Sequence, residues 1–89
     1  MLFIALAKFK MKLDKEVVAQ NMKNIEEDEK DNVQYKEIFW TLGKYDTVVI
    51  FDAPDEKTAM NMALKRLDRM EIEMLVALPA DKSNPYGPV

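Results

Sequence analysis

Two short runs of this chain are apolar on both of their alternating faces, and no other feature constrains the fold as much. In Leu2-Phe3-Ile4-Ala5-Leu6-Ala7-Lys8-Phe9, Leu2, Ile4 and Leu6 point one way, and Phe3, Ala5, Ala7 and Phe9 point the other. Between Asp46 and Ala53, Val48 and Ile50 share one face while Thr47, Val49 and Phe51 share the opposite one. Side chains alternate along a strand, so a strand apolar on both sides is buried on both sides. The sheet that contains these strands therefore needs a covering layer on each face.

The chain supplies one such layer. Asp14 is placed to cap a helix, with Glu16 in its first turn and Val17, Val18, Met22 and Ile25 on one helical face. The run Glu26-Glu27-Asp28-Glu29, followed by Asp31, puts acid at the wrong end for the helix dipole, so it is expected to be a frayed, solvated helix end. A second strand from Val33 to Leu42 begins polar and finishes apolar, which predicts a wet first half and a covered second half. Ala53-Pro54-Asp55 ends the third strand and caps a second helix, whose apolar positions are Ala59, Met60, Ala63, Leu64 and Leu67. Glu71 to Leu78 is the fourth strand, closed by Pro79.

The order β-α-β-β-α-β implies an α+β, ferredoxin-like domain: a four-stranded antiparallel sheet with both helices on one face. Residues 1–79 form this single domain. Residues 80–89 read as a C-terminal tail without core residues of its own, Tyr86 being the one candidate. The second sheet face is left bare, and a patch of Phe3, Ala5, Phe51 and their neighbours exceeds what a soluble monomer exposes. A second copy packed sheet against sheet answers this, with a ligand between the sheets as the lesser answer. An obligate homodimer is expected.

Composition excludes several chemistries. The net charge is −3, and the 13 basic residues form no block, so a nucleic-acid partner is not expected. With no Cys and no His, the chain lacks thiol nucleophiles, disulfides, thiolate or imidazole metal sites and imidazole acid–base catalysis. No cofactor or metal is expected, and haem would have only Tyr or Met as ligands. The acidic run lacks the alternating ligands and central Gly of a calcium loop. Met60, Met62, Met70 and Met74 fall at helical and strand spacing and read as core filler. Met1 to Ala7 is apolar but has no basic flank or cleavage site, so it reads as a strand, with neither a signal peptide nor a membrane span. A cytoplasmic protein without a membrane partner is expected.

The rare residues gather in one hairpin, Ile38 to Phe51, which holds the only Trp and one of the two Gly. Gly43 supplies the positive φ that such a turn requires. Asp46 could bind an amine or cation, or accept hydrogen bonds from turn N–H groups. Trp40 and Tyr45 each join a flat apolar surface to one polar atom, which suits either a small ligand or a subunit contact. Trp40, Tyr45 and Asp46 are the candidate ligand-binding residues, with Gly43 forming the turn; no catalytic residue is assigned.

The segment Phe39-Trp40-Thr41-Leu42-Gly43-Lys44-Tyr45-Asp46 resembles the GYD domain family, whose triad here is Gly43, Tyr45 and Asp46. The likeness runs through Val48-Val49-Ile50, Ala53-Pro54-Asp55 and the Ala- and Met-rich second helix, covering Ile38 to Leu78, whereas residues 10–36 match poorly. The resemblance implies the dimeric α/β-barrel superfamily. The hairpin is also similar to a turn in the effector domain of leucine-responsive regulators, where it lies near an amino-acid site at a subunit interface. The expectation is a non-catalytic homo-oligomeric small-molecule-binding or regulatory module. The alternative is a cofactor-independent monooxygenase- or isomerase-like enzyme acting in the inter-sheet cleft, with Trp40, Tyr45, Asp46 and Asp52 as its available groups.

Overall fold

The computed structural model describes the backbone of residues 1–88 and the side chains of residues 1–84. The elements follow the order β1 (Leu2–Phe9), α1 (Lys15–Lys30), β2 (Gln34–Trp40), β3 (Thr47–Asp52), α2 (Glu56–Leu64), β4 (Met70–Ala77), β5 (Ala80–Asp81) and β6 (Asn84–Pro88). The first four strands to reach the sheet form an antiparallel sheet of order β2-β3-β1-β4, with β1 and β3 at its centre. Each helix connects two parallel strands across the antiparallel strand between them, which makes the fold α+β and ferredoxin-like. Tail residues 80–88 contain a short antiparallel ribbon of β5 and β6. The side chain of Tyr86 lies outside the described residues.

The two apolar faces of β1 and β3 part company as the alternation requires, but the covered one is the reverse of that expected. Phe3, Ala5 and Phe51 lie under the helices; Phe3 and Phe51 stack at 5.4 Å and form the core with Val33, Ala53, Ala59 and Met62. The bare face carries Leu2, Ile4, Leu6, Val48 and Ile50, which are half-buried, with Phe39 and Leu75 exposed beside them. Both faces are apolar, so alternation cannot tell which one the helices take. Larger rings at Phe3 and Phe51, stacked across the β1–β3 pair, go where closed packing is available.

Helix α1 does not fray at Glu26. It runs to Lys30, where the Val33 N–H donates to the Asp28 carbonyl (3.1 Å) and the Asn32 N–H to the Glu29 carbonyl (3.2 Å). With Asn32 at φ 67°, this is a Schellman ending in which Asn takes the usual place of Gly. The acidic run is likewise not wholly solvated, because Asp28 has 0% exposure. Helix α2 begins as expected, the Asp55 carboxylate accepting from the Thr58 N–H at 2.8 Å, but it ends at Leu64. Its buried stripe is Ala59 and Met62; Met60, Leu64 and Leu67 face outward.

Strand β2 is wet in its first half as expected, with Gln34, Lys36 and Glu37 exposed, but its second half is not covered. Val33, just before it, is buried, whereas Ile38, Phe39, Trp40 and Leu42 are exposed. As an edge strand, β2 has a neighbour on one side only. A register shift between Tyr35 and Glu37 inserts Lys36 as an extra residue. That bulge changes the parity of the strand, so Tyr35, Ile38 and Trp40 come to share the helix-side face. Lys36 then pairs with Asp52, the last residue of β3, at 3.0 Å.

Candidate functional site

The space between the helices and the sheet is incompletely filled. A cavity of about 330 Å³ is floored by Ala5, Ala7, Val49 and Phe51 of the central strands. Met22 and Ile25 of α1, Met62 and Ala63 of α2, and Met70, Ile72 and Met74 of β4 complete most of its walls. The floor is low because the two middle positions of β1 on this face, between Phe3 and Phe9, are alanines. A single cavity touching both helices and one sheet face also shows that both helices lie on the same side.

Exposure varies around the lining. Among the lining residues, Ala7, Phe51, Met62 and Met70 are buried, while Val18 and Met22 of α1 and Ile38 and Trp40 of β2 are exposed. The mouth therefore opens between the first half of α1 and the hairpin end of β2. Trp40 is 71% exposed there, its ring tilted against Phe9 at 6.2 Å.

The inner end is polar and tightly paired. The Asp28 carboxylate accepts from the Tyr35 hydroxyl at 2.6 Å, from Arg66 Nη2 at 2.7 Å and from Lys65 Nζ at 3.0 Å. Arg66 Nη1 donates to the Met62 carbonyl at 2.8 Å, and Glu27 lies 3.7 Å from Lys65. Two acids and two bases thus balance one another. Burial, then the hydrogen bond to Asp28, holds the Tyr35 phenol well above its usual range. The group joins the end of α1, the turn after α2 and the start of β2 at one point.

The hairpin residues singled out from the sequence separate in space. Trp40 lines the cavity; Tyr45 and Asp46 do not. The Asp46 carboxylate accepts from the Phe9 N–H at 2.8 Å and its own N–H donates to the Ala7 carbonyl at 2.8 Å, fixing the end of β1 to the turn. The Tyr45 hydroxyl donates to Glu73, which raises the phenol above its usual range, and the ring sits beside Lys44 Nζ at 5.5 Å. Glu73 pairs with Leu6 across the β1–β4 ladder, so Tyr45 belongs to the bare side of the sheet. Gly43 has φ +117°, a conformation that L side chains rarely adopt. Its hairpin is closed by the Thr41 N–H donating to the Asp46 carbonyl at 2.9 Å and the Thr41 hydroxyl to the Tyr45 carbonyl at 2.7 Å.

Sequence reasoning missed Asp28, Tyr35 and Arg66. A signal for the first exists: Val17, Asn21, Asn24 and Asp28 recur at spacings that keep one helical face, so Asp28 continues a stripe aimed inward. Its acidic neighbours hide that phase. The methionines read as core filler divide, with Met62, Met70 and Met74 lining the cavity and Met60 exposed.

The family model for the GYD domain matches residues 5–84, nearly the whole chain. The chain belongs to the GYD domain family. Membership extends well beyond the Ile38–Leu78 likeness and takes in residues 10–36, including α1. No curated protein matches this GYD domain. Among the described residues, no group of three or more carboxylates is arranged to hold a metal ion, and no helix is long and apolar enough to cross a membrane.

Proposed function

We propose that this GYD domain is a non-catalytic, homo-oligomeric small-molecule-binding or regulatory module whose binding site is the cavity between its helices and its sheet. The carrying observation is an apolar space of about 330 Å³ with an exposed apolar mouth and a closed inner end. That volume falls within the range of small-molecule sites, roughly 300–1,000 Å³. Tyr35 and Arg66 are the ionisable groups of the lining. The phenol is held well above its usual range, and both terminal nitrogens of Arg66 are engaged by Asp28 and Met62. The Tyr35 phenol is thus not poised for acid–base work near neutral pH.

Oligomerisation is supported by the other face of the sheet. Leu2, Ile4, Leu6, Val48 and Ile50 form a contiguous half-buried apolar surface flanked by exposed Phe39 and Leu75. A second copy covering it in the same way would complete the sandwich that the double-faced strands demand.

A thermal-shift screen of small molecules tests the binding site. A ligand at 100 times its Kd stabilises by about 2.7 kcal/mol, and filling the floor with Ala7→Leu should abolish that rise. Sedimentation tests the oligomer: the wild type should run as a dimer or larger, and Ile50→Lys as a monomer. A wild-type monomer at high concentration refutes the oligomeric part, and a stabilising hit untouched by Ala7→Leu refutes the cavity.

A further inference from the structure

We propose that the cavity selects neutral aromatic molecules of about two fused rings and excludes carboxylates, free amino acids among them; this rests on the binding reading above. The inner end has no charge left to offer. Asp28 and Glu27 balance Lys65 and Arg66, and the Tyr35 hydroxyl is already a donor to Asp28. A carboxylate entering the cavity would shed its water and find Arg66 occupied. To gain that partner it would have to displace Asp28, which has 0% exposure and is held by Tyr35, Lys65 and Arg66. A buried charge without a partner is strongly disfavoured, so the network repels an anion although it contains an arginine.

Size and lining define what is accepted. An engineered apolar cavity of about 150 Å³ takes benzene and stays dry. The present volume of about 330 Å³ is roughly twice that. Thioethers of Met22, Met62, Met70 and Met74 surround the space, with Phe9 and Phe51 among the ring-bearing walls. Sulfur atoms favour the edges of aromatic rings, and flexible methionines adapt to small differences in outline. The apolar mouth at Val18, Met22, Ile38 and Trp40 admits such a molecule without stripping a charged rim of its water.

Labelling the methionine methyl groups with carbon-13 makes the lining directly visible by NMR. Titration with indole should shift the methyls of Met22, Met62, Met70 and Met74 saturably and leave Met1 and Met60 in place. Indole-3-acetate and tryptophan should need at least about tenfold higher concentration for the same displacement. Ala5→Leu, which raises the floor, should remove the indole response; Ala63→Leu, on the helical wall, repeats the test if the first variant does not fold. Carboxylates binding as tightly as indole would overturn the selectivity while leaving the cavity a binding site. If none of the three compounds moves the four lining methyls, or if Met1 and Met60 move instead, the selectivity and the binding site fall together.

Discussion

Replacing Asp28 by Asn tests whether the buried charge group holds the two layers together. The substitution keeps the shape of the side chain and removes the charge that three neighbours share. The oxygen that accepts from both the Tyr35 hydroxyl and Arg66 Nη2 is kept, so Arg66 loses its counter-charge, whereas Lys65 loses its bond of 3.0 Å to the other oxygen. The two cations respond differently. The Lys65 side chain is 28% exposed and can turn to water, whereas that of Arg66 is 12% exposed and stays behind unpaired. Breaking a buried pair from one side costs about 3–5 kcal/mol, and the solvent access of Lys65 places the expected loss near the lower end, about 3 kcal/mol. For a domain of this size that corresponds to a fall in Tm of roughly 12–24 °C. Urea unfolding followed by circular dichroism should show a lower midpoint at unchanged slope. The triple variant Asp28→Leu, Arg66→Met and Tyr35→Phe removes the buried charges together with the hydroxyl that donates to them, and should recover much of the loss because Lys65 can turn to water. A loss below about 1 kcal/mol for Asp28→Asn would refute the claim that Arg66 depends on Asp28.

Two further expectations concern single side chains. The Tyr35 phenol is raised by burial and by its bond to Asp28, so the folded chain keeps a proton that the unfolded chain releases near pH 10. Its contribution is therefore complete below about pH 10 and is lost as pH rises further, at up to about 1.4 kcal/mol per pH unit; Tyr35→Phe should flatten that alkaline limb in denaturant titrations, and an unchanged limb would count against the assignment. Asp46→Ala leaves the Phe9 N–H without its acceptor and should cost about 1–2 kcal/mol by urea unfolding. The indole response of the methionine methyls should persist in that variant, since Asp46 does not line the cavity.

Element order was legible in the sequence because its signals are local. Asp14 and Asp55 cap the helices as their positions suggest, and the turn at Gly43 has the backbone conformation its glycine favours. Burial was less legible because it depends on what meets what. Phe3 and Leu2 are equally apolar, and only the side on which the helices fall decides which is hidden. The bulge at Lys36 is a further case: strict alternation would set Tyr35 and Ile38 on opposite faces, whereas the extra residue brings both to the cavity. A one-residue change of parity leaves no mark in composition or hydropathy.

The candidate site escaped the pattern for a related reason. A cavity is formed by side chains that stop short, and Ala5 and Ala7 look like ordinary strand residues until the helices above them are placed. What holds those helices is asymmetric. The inner end of α1 is tied through Asp28 to Arg66, Lys65 and Tyr35, while among the described residues no hydrogen bond or ion pair joins residues 15–24 to the sheet. Apolar contact alone then positions the first half of α1, the same half that forms one lip of the mouth with Val18 and Met22. Contact of that kind is non-directional and tolerates a change in spacing better than a charged hydrogen bond does. The hairpin supplies the opposite lip through Trp40, and its Gly43 and Asp46 matter because they hold that lip in place against β1. The family triad is thus tied to the site through the backbone: Asp46 fixes the end of β1, the strand that floors the cavity, and the turn it closes presents Trp40 at the entrance.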